Sequence, residues 1–214
     1  MRPYFKIQNL SWLLFLTLMT TSLSSAQKDV EKWKLQLALG INNTIDQEET
    51  VGFFSKQINF PTINLGVQYM FARNWGVKLD LGYNRSSEAT DRSLPYKLNY
   101  TRVNVQGVYD FKDLLTFLPP PIGIVAHAGP GLSMTKPLGS YANNTYTYPN
   151  VMAGVEVHYR LTESLSIYVD GSYVYALSKK NKYNVATDGF SFNGDLAYVA
   201  FGASISLSGC HYCN

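Results

Sequence analysis

Ile63-Asn-Leu-Gly-Val-Gln-Tyr-Met-Phe-Ala-Arg-Asn-Trp-Gly-Val-Lys-Leu-Asp-Leu-Gly-Tyr83 is the stretch that decides the fold. Ile63, Leu65, Val67, Tyr69 and Phe71 alternate with Asn64, Gly66 and Gln68. After the tight Ala72-Arg73-Asn74 the same parity returns in Trp75, Val77, Leu79, Leu81 and Tyr83, against Lys78 and Asp80. A period of two held over this length means two strands joined by a turn, each with one apolar and one polar face.

Outward from this hairpin the pattern repeats. Trp33, Leu35, Leu37, Leu39 and Ile41 form an earlier segment. Later ones are Val103, Val105 and Tyr109; Ile122, Ile124, Ala126 and Ala128; Val151 to Tyr159; Leu165 to Tyr173; and Ala197 to Leu207. No stretch of comparable length has helical periodicity. Eight segments of about 9–11 residues match what a tilted strand needs to cross a bilayer. The connections alternate in length. Residues 72–74 and 161–164 are tight, whereas about 43–61, 84–98, 133–149 and 176–194 are long and polar, the outer-membrane barrel pattern. Asp110 to Pro121 is a longer connection on the short-turn side.

Aromatic residues bracket the aliphatic band. Trp33, Tyr69, Phe71, Trp75, Tyr109, Phe111 and Tyr159 fall at the short-turn ends, and Tyr83, Tyr100, Tyr173, Tyr175 and Tyr198 near the long-loop ends. Two such rings predict lipid outside. A soluble barrel of lipocalin type would carry its apolar face inside instead. The expected fold is therefore all-β: an eight-stranded antiparallel up-and-down transmembrane barrel over residues 27–208.

Arg2 and Lys6 precede an apolar run from Leu10 to Met19 and a Ser-Ser-Ala26 end, which reads as a signal peptide over residues 1–26. A spanning helix needs about 20 apolar residues, more than this run has. Of the 18 basic residues these two fall in the leader, leaving 16 against 15 acidic, net +1. That balance, without any nucleic-acid motif, excludes a nucleic-acid partner. The 46% hydrophobic content and 16 Tyr exclude a disordered chain.

Trp33-Lys-Leu-Gln-Leu-Ala-Leu-Gly40 and Phe71-Ala-Arg-Asn-Trp-Gly-Val77 resemble the first strand and first periplasmic hairpin of the outer membrane protein A-type small transmembrane barrels, especially those of Bacteroidetes-like bacteria. The resemblance covers about residues 30–208. It implies a Gram-negative outer-membrane location, outer-membrane lipids as partners and a monomer. Family members often continue into a periplasmic peptidoglycan-binding domain. Here a short tail (209–214) follows Ser208, so tethering through such a domain is not expected. The last strand ends at Leu207 rather than at the usual aromatic residue.

The polar faces gather Lys34, Lys78, Asp80, Arg102, Glu156, Arg160 and Asp170. An eight-stranded lumen is just wide enough to be filled by side chains, and buried charges must be paired. This set therefore predicts an internal salt-bridge network closing the barrel. The alternative is a small-solute or ion pore, for which one charge sign would be expected to predominate. His127 and His158 each stand alone in their strands, so they read as satisfied lumenal histidines. No catalytic residue, metal site or cofactor is expected, and an outer-membrane lipid-modifying hydrolase is the less favoured reading.

Cys210 and Cys213 could close a disulfide in an oxidising compartment. With His211 they form a weak zinc half-site. Gly129-Pro-Gly131 lacks the rest of a phosphate loop and reads as close strand packing or a bend. The long loops, with stretches such as Ser140-Tyr-Ala-Asn-Asn-Thr-Tyr-Thr-Tyr148, look like adaptable recognition surfaces for an extracellular ligand. Function is thus expected to be structural or surface-interactive.

Overall fold

The computed structural model describes residues 32–45, 55–89, 96–139, 144–177, 192 and 194–207. The expected signal peptide, the tail with Cys210 and Cys213, and parts of the four long loops lie outside the described residues. Eight strands form: β1 (Trp33–Thr44), β2 (Asn59–Met70), β3 (Trp75–Ser87), β4 (Lys97–Asp110), β5 (Ile122–Pro137), β6 (Tyr146–Arg160), β7 (Leu165–Ala176) and β8 (Leu196–Ser206). Each pairs antiparallel with its neighbour in sequence, and β8 returns to β1. The closing register runs from Lys34↔Ser206 to Thr44↔Leu196. Closure leaves no unpaired edge, the condition under which strand backbone can sit in lipid.

The sidedness follows the alternation. Leu37, Val105 and Phe201 are each 58–59% exposed on the outer wall. Asp80, Glu156, Arg102 and Lys78 are at most 2% exposed inside it. Apolar residues outside and charges inside invert a soluble barrel and suit a hydrocarbon solvent. At the short-turn end Trp33 packs on Tyr69 at 4.7 Å, Trp75 on Tyr109 at 4.7 Å, and Tyr109 on Phe111 at 4.8 Å between ring centroids. Tight bends at 71–74 and 161–164 make two of the connections there. The third holds a short 3-10 turn, Phe111–Asp113, whose start is capped by Asp110 accepting from the Lys112 amide.

Two expectations need correction. Seven of the eight strands are longer than 9–11 residues; β5 has 16 and β6 has 15, while β8 has 11. Much of what reads as the polar loop 133–149 is paired strand, because Ser133 and Thr135 face inward opposite Tyr148 and Tyr146. Small hydroxyl side chains there seat against a packed interior, so low hydropathy marks the inner face rather than a loop. Second, Tyr100 and Tyr198 do not join the outer aromatic ring. They are 0% and 3% exposed inside the barrel, as their even numbers on odd-outward strands require. On β5 the even-numbered outward parity expected from Ile122 to Ala128 continues through Pro130, Leu132, Met134 and Lys136. Gly129 and Gly131 on its inner face bring β5 close to β4. A Cβ on Gly129 would collide with the Val105 carbonyl and come within 2.7 Å of Gln106 Cα.

Candidate functional site

The lumen is built in two storeys. The lower is ionic. Lys78 Nζ lies 2.6 Å from Glu156 Oε1 and 3.7 Å from Asp80 Oδ2. Arg102 bonds Asp80 Oδ1 through one guanidinium nitrogen and Asn64 Oδ1 at 2.9 Å through the other. The Arg102 guanidinium also covers the Tyr198 ring, 4.8 Å from its centroid, a cation–π contact shielded from water. Tyr198 and Ser172 both donate to Asp170, at 2.9 and 2.6 Å.

Glycines on the inner wall make room for these long side chains. A Cβ on Gly82 would fall on the Arg102 guanidinium. One on Gly66 would stand 3.0 Å from Lys78 Cε, and one on Gly154 would be 2.7 Å from the His127 ring.

Both histidines have partners. His158 Nε2 donates to Glu156 Oε2 at 2.7 Å, and its ring stacks on Tyr168 with centroids 5.0 Å apart. His127 Nε2 lies 3.3 Å from Asp170 Oδ1 and 3.4 Å from Ser172 Oγ. Glu156 also accepts from Gln36 Nε2 at 2.9 Å. Sequence reasoning sees each histidine alone on its strand because the partners come from register across strands and from i, i+2 neighbours on one face. Glu156 sits directly opposite Asp170, and His127 opposite Gly154.

Of the seven charged residues expected to form a network, Lys78, Asp80, Arg102, Glu156 and Asp170 come together. Lys34 is half-buried lower on β1, and Arg160 is exposed at the short-turn end, donating to the Pro120 carbonyl at 2.6 Å. The buried set is therefore two firm cations against three carboxylates, with a histidine on two of the latter.

Ser172, His127 and Asp170 contain the atoms of a hydrolytic triad but not its wiring. Ser172 and Asp170 both approach the same ring nitrogen, and Ser172 donates to Asp170. A nucleophilic serine needs the histidine as its base, with the carboxylate on the opposite nitrogen. His127, Glu156 and Asp170 also each offer a ligand atom within 4.8 Å of one another. Lys78 already lies on the Glu156 member, so the cluster carries its own cation there.

The upper storey is apolar on one side and was not foreseen from the sequence. Leu98, Tyr100, Tyr148, Met152, Val174, Phe192 and Leu196 form one buried cluster at the long-loop end. Phe192 comes from the β7–β8 connection and meets the Tyr100 ring edge-on at 6.0 Å. Tyr100 Oη and Ser133 Oγ are 2.6 Å apart, and Asn150 donates to Ser133 at 2.7 Å. On the β1–β3 side the same level is amide and hydroxyl: Asn42 donates to Thr62 and accepts from Ser86.

Comparison with known proteins agrees with this architecture. The family described as "Outer membrane protein beta-barrel domain" matches residues 13–206. Neisserial surface protein A is similar in structure, with a TM-score of 0.58 at 13% identity, covering 81% of this chain and 96% of its own. The attachment invasion locus protein Ail of Yersinia pestis, in complex with the heparin analogue sucrose octasulfate, gives 0.50 at 12% identity, with 81% and 97% covered. A major outer membrane protein of Thermus thermophilus gives 0.50 at 12% identity, with 81% and 98% covered. At these identities the likeness concerns the fold. No curated protein matches the sequence. A closed eight-stranded wall with lipid-compatible sidedness, matched over nearly its whole length by one family, places this chain in the outer membrane protein beta-barrel family, as a barrel of the Gram-negative outer membrane.

Proposed function

We propose that this protein is a closed barrel that serves as a membrane-embedded scaffold, meeting the exterior through its long loops, and that it is neither a pore nor an enzyme. One observation carries the reading: the lumen is filled from His158 and Glu156 at one end to Phe192 and Tyr148 at the other. Oppositely charged groups at comparable depth lock onto each other. Above them an aromatic and aliphatic layer fills one side, and on the other the amide and hydroxyl groups of Asn42, Thr62 and Ser86 bond one another. A selective pore would instead line its path with a surplus of one charge sign or with open carbonyls. The Ser172–His127–Asp170 arrangement, with both partners on one ring nitrogen, supports a structural role for the histidine. The strands that continue past the aromatic ring, β5 and β6 above all, give the loops a rigid base.

Single-channel recording on the reconstituted full-length barrel tests this. The expected result is no stable opening over a range of voltages. Stable, sizeable openings would replace the scaffold reading with the pore.

A further inference from the structure

We infer that the outer wall of β3–β5, directly above Tyr83, binds the phosphorylated headgroup of a lipid in the outer leaflet through Arg85, Lys97 and Lys136. This inference rests on the membrane location and not on the closed lumen.

Register sets the geometry. Leu81, Val103 and Leu132 stand side by side on the outer face of the three strands. One step toward the loops the row is Tyr83, Thr101 and Met134. The next is Arg85, Asn99 and Lys136, and then come Ser87 and Lys97. Neighbouring strands lie about 4.8 Å apart. Lys97 is therefore diagonal to both Arg85 and Lys136, with Cα separations of roughly 7–8 Å. Three long cationic side chains thus converge on one small patch.

Tyr83 Oη donates to Asn99 Oδ1 at 3.0 Å, which ties the aromatic row to the cationic one. Lys56 extends the patch, since its amide donates to the Ser87 carbonyl at 3.0 Å and its side chain is exposed. Among the described residues no carboxylate pairs with Arg85, Lys97 or Lys136, and none stands on this outer face above Tyr83. The acidic counterpart lies across the barrel, where Asp195 accepts from Tyr173 Oη and the Ala176 amide.

The vertical order selects the ligand class. An aliphatic row, then an aromatic and thioether row, then a cationic row is the profile of an amphiphile read from its chains to its charged head. Arginine and lysine bind phosphate oxygens with charge-assisted hydrogen bonds. A free anion would make no use of the apolar rows beneath, so a lipid is the occupant that fits the whole column.

The test is native mass spectrometry of the full barrel in uncharged detergent with diphosphorylated lipid A. The variants are Arg85→Gln/Lys97→Gln/Lys136→Gln and, removing the same charge at the other end, Lys32→Gln/Arg73→Gln/Lys112→Gln. Each surface cation contributes about five-fold in affinity for an anionic lipid, so the rim triple should lose on the order of a hundred-fold. The other triple should match the unaltered protein, and a phosphate-free lipid A should be held weakly by all three. Heat-modified gel mobility checks that each barrel is closed. Should the rim triple fail to fold, Lys136→Gln alone is expected to lose about five-fold. Equal retention by the rim triple and the unaltered barrel overturns the proposal, as does equal retention of the phosphate-free lipid. Displacement of the lipid by an equimolar amount of inorganic pyrophosphate would assign the patch to free anions and overturn the lipid assignment.

Discussion

Glu156→Ala weighs the lumen directly. It removes the acceptor of three donors at once: Lys78 Nζ at 2.6 Å, His158 Nε2 at 2.7 Å and Gln36 Nε2 at 2.9 Å. The nearest carboxylate left to Lys78 is Asp80, whose Oδ2 is 3.7 Å away and whose other oxygen is held by Arg102. Stranding a buried ammonium in this way costs about 3–5 kcal/mol. For a chain of this size each kcal/mol moves the melting temperature by about 2–4 °C. The expected loss is therefore roughly 6–20 °C. Glu163→Ala is the control, because it deletes a carboxylate from the exposed 161–164 turn. Such a surface change stays within about 0.5 kcal/mol. The assay is the temperature at which half of the heat-modifiable band is lost on a gel in one fixed detergent. A double variant, Lys78→Met with Glu156→Leu, separates charge from volume. It should recover most of the loss, since apolar residues of similar size replace a buried ion pair at little cost. Equal melting of Glu156→Ala and Glu163→Ala would show that lumen water screens these charges, and the filled-lumen reasoning would fall with it.

Two further outcomes follow from packing. Gly129→Ala drives a Cβ into the Val105 carbonyl of the adjoining strand, whereas Gly171→Ala on the lipid face meets nothing within 4 Å. The first should cost about 1–3 kcal/mol and lower the folded fraction on refolding into detergent, and the second should leave it unchanged. Phe192→Ala empties the top of the apolar layer against Tyr100. It should cost about 3 kcal/mol, read in the same melting assay, and no change would place Phe192 outside the packed interior.

How far the fold could be read in advance is clearest in the first hairpin. Between Ile63 and Tyr83 the alternation alone sets strand, turn and sidedness, because a lipid face and a polar lumen leave no other assignment for Leu79 and Lys78. The same parity rule, applied residue by residue, would have sent Tyr100 and Tyr198 inward. Nearness to a strand end places a tyrosine at a height on the wall, but its number decides the face, and both are even on odd-outward strands. Pairing is a different matter. That Arg102 finds Asp80 and Asn64, or that Glu156 gathers Lys78, His158 and Gln36, depends on register and on the inner glycines that clear space for each side chain. Neither is a local property of the sequence. The His127–Asp170 contact and the cationic triangle of Arg85, Lys97 and Lys136 are hidden for the same reason, since each joins residues from different strands, whereas His158 and Glu156 are i, i+2 neighbours on β6 and their pairing is legible in the alternation.

The ionic storey has a consequence that stability alone does not explain. A buried ion pair is often no better for stability than apolar residues of the same volume. Its position on the inner face, however, bears on register. A one-residue slip of a strand moves every side chain to the opposite face. For β3 that would carry both Lys78 and Asp80 out of the lumen into hydrocarbon, and a lysine at the bilayer midplane costs about 2–4 kcal/mol by itself. For β4 it would expose Arg102 to the same medium. The apolar storey gives no such protection, because Leu98, Met152 or Leu196 would be as comfortable against lipid as against one another. Charges low in the lumen and apolar groups near its mouth thus divide the work: the first penalise every odd-residue slip of the strands that carry them, and the second fill volume where the wall leaves the bilayer and sidedness no longer discriminates.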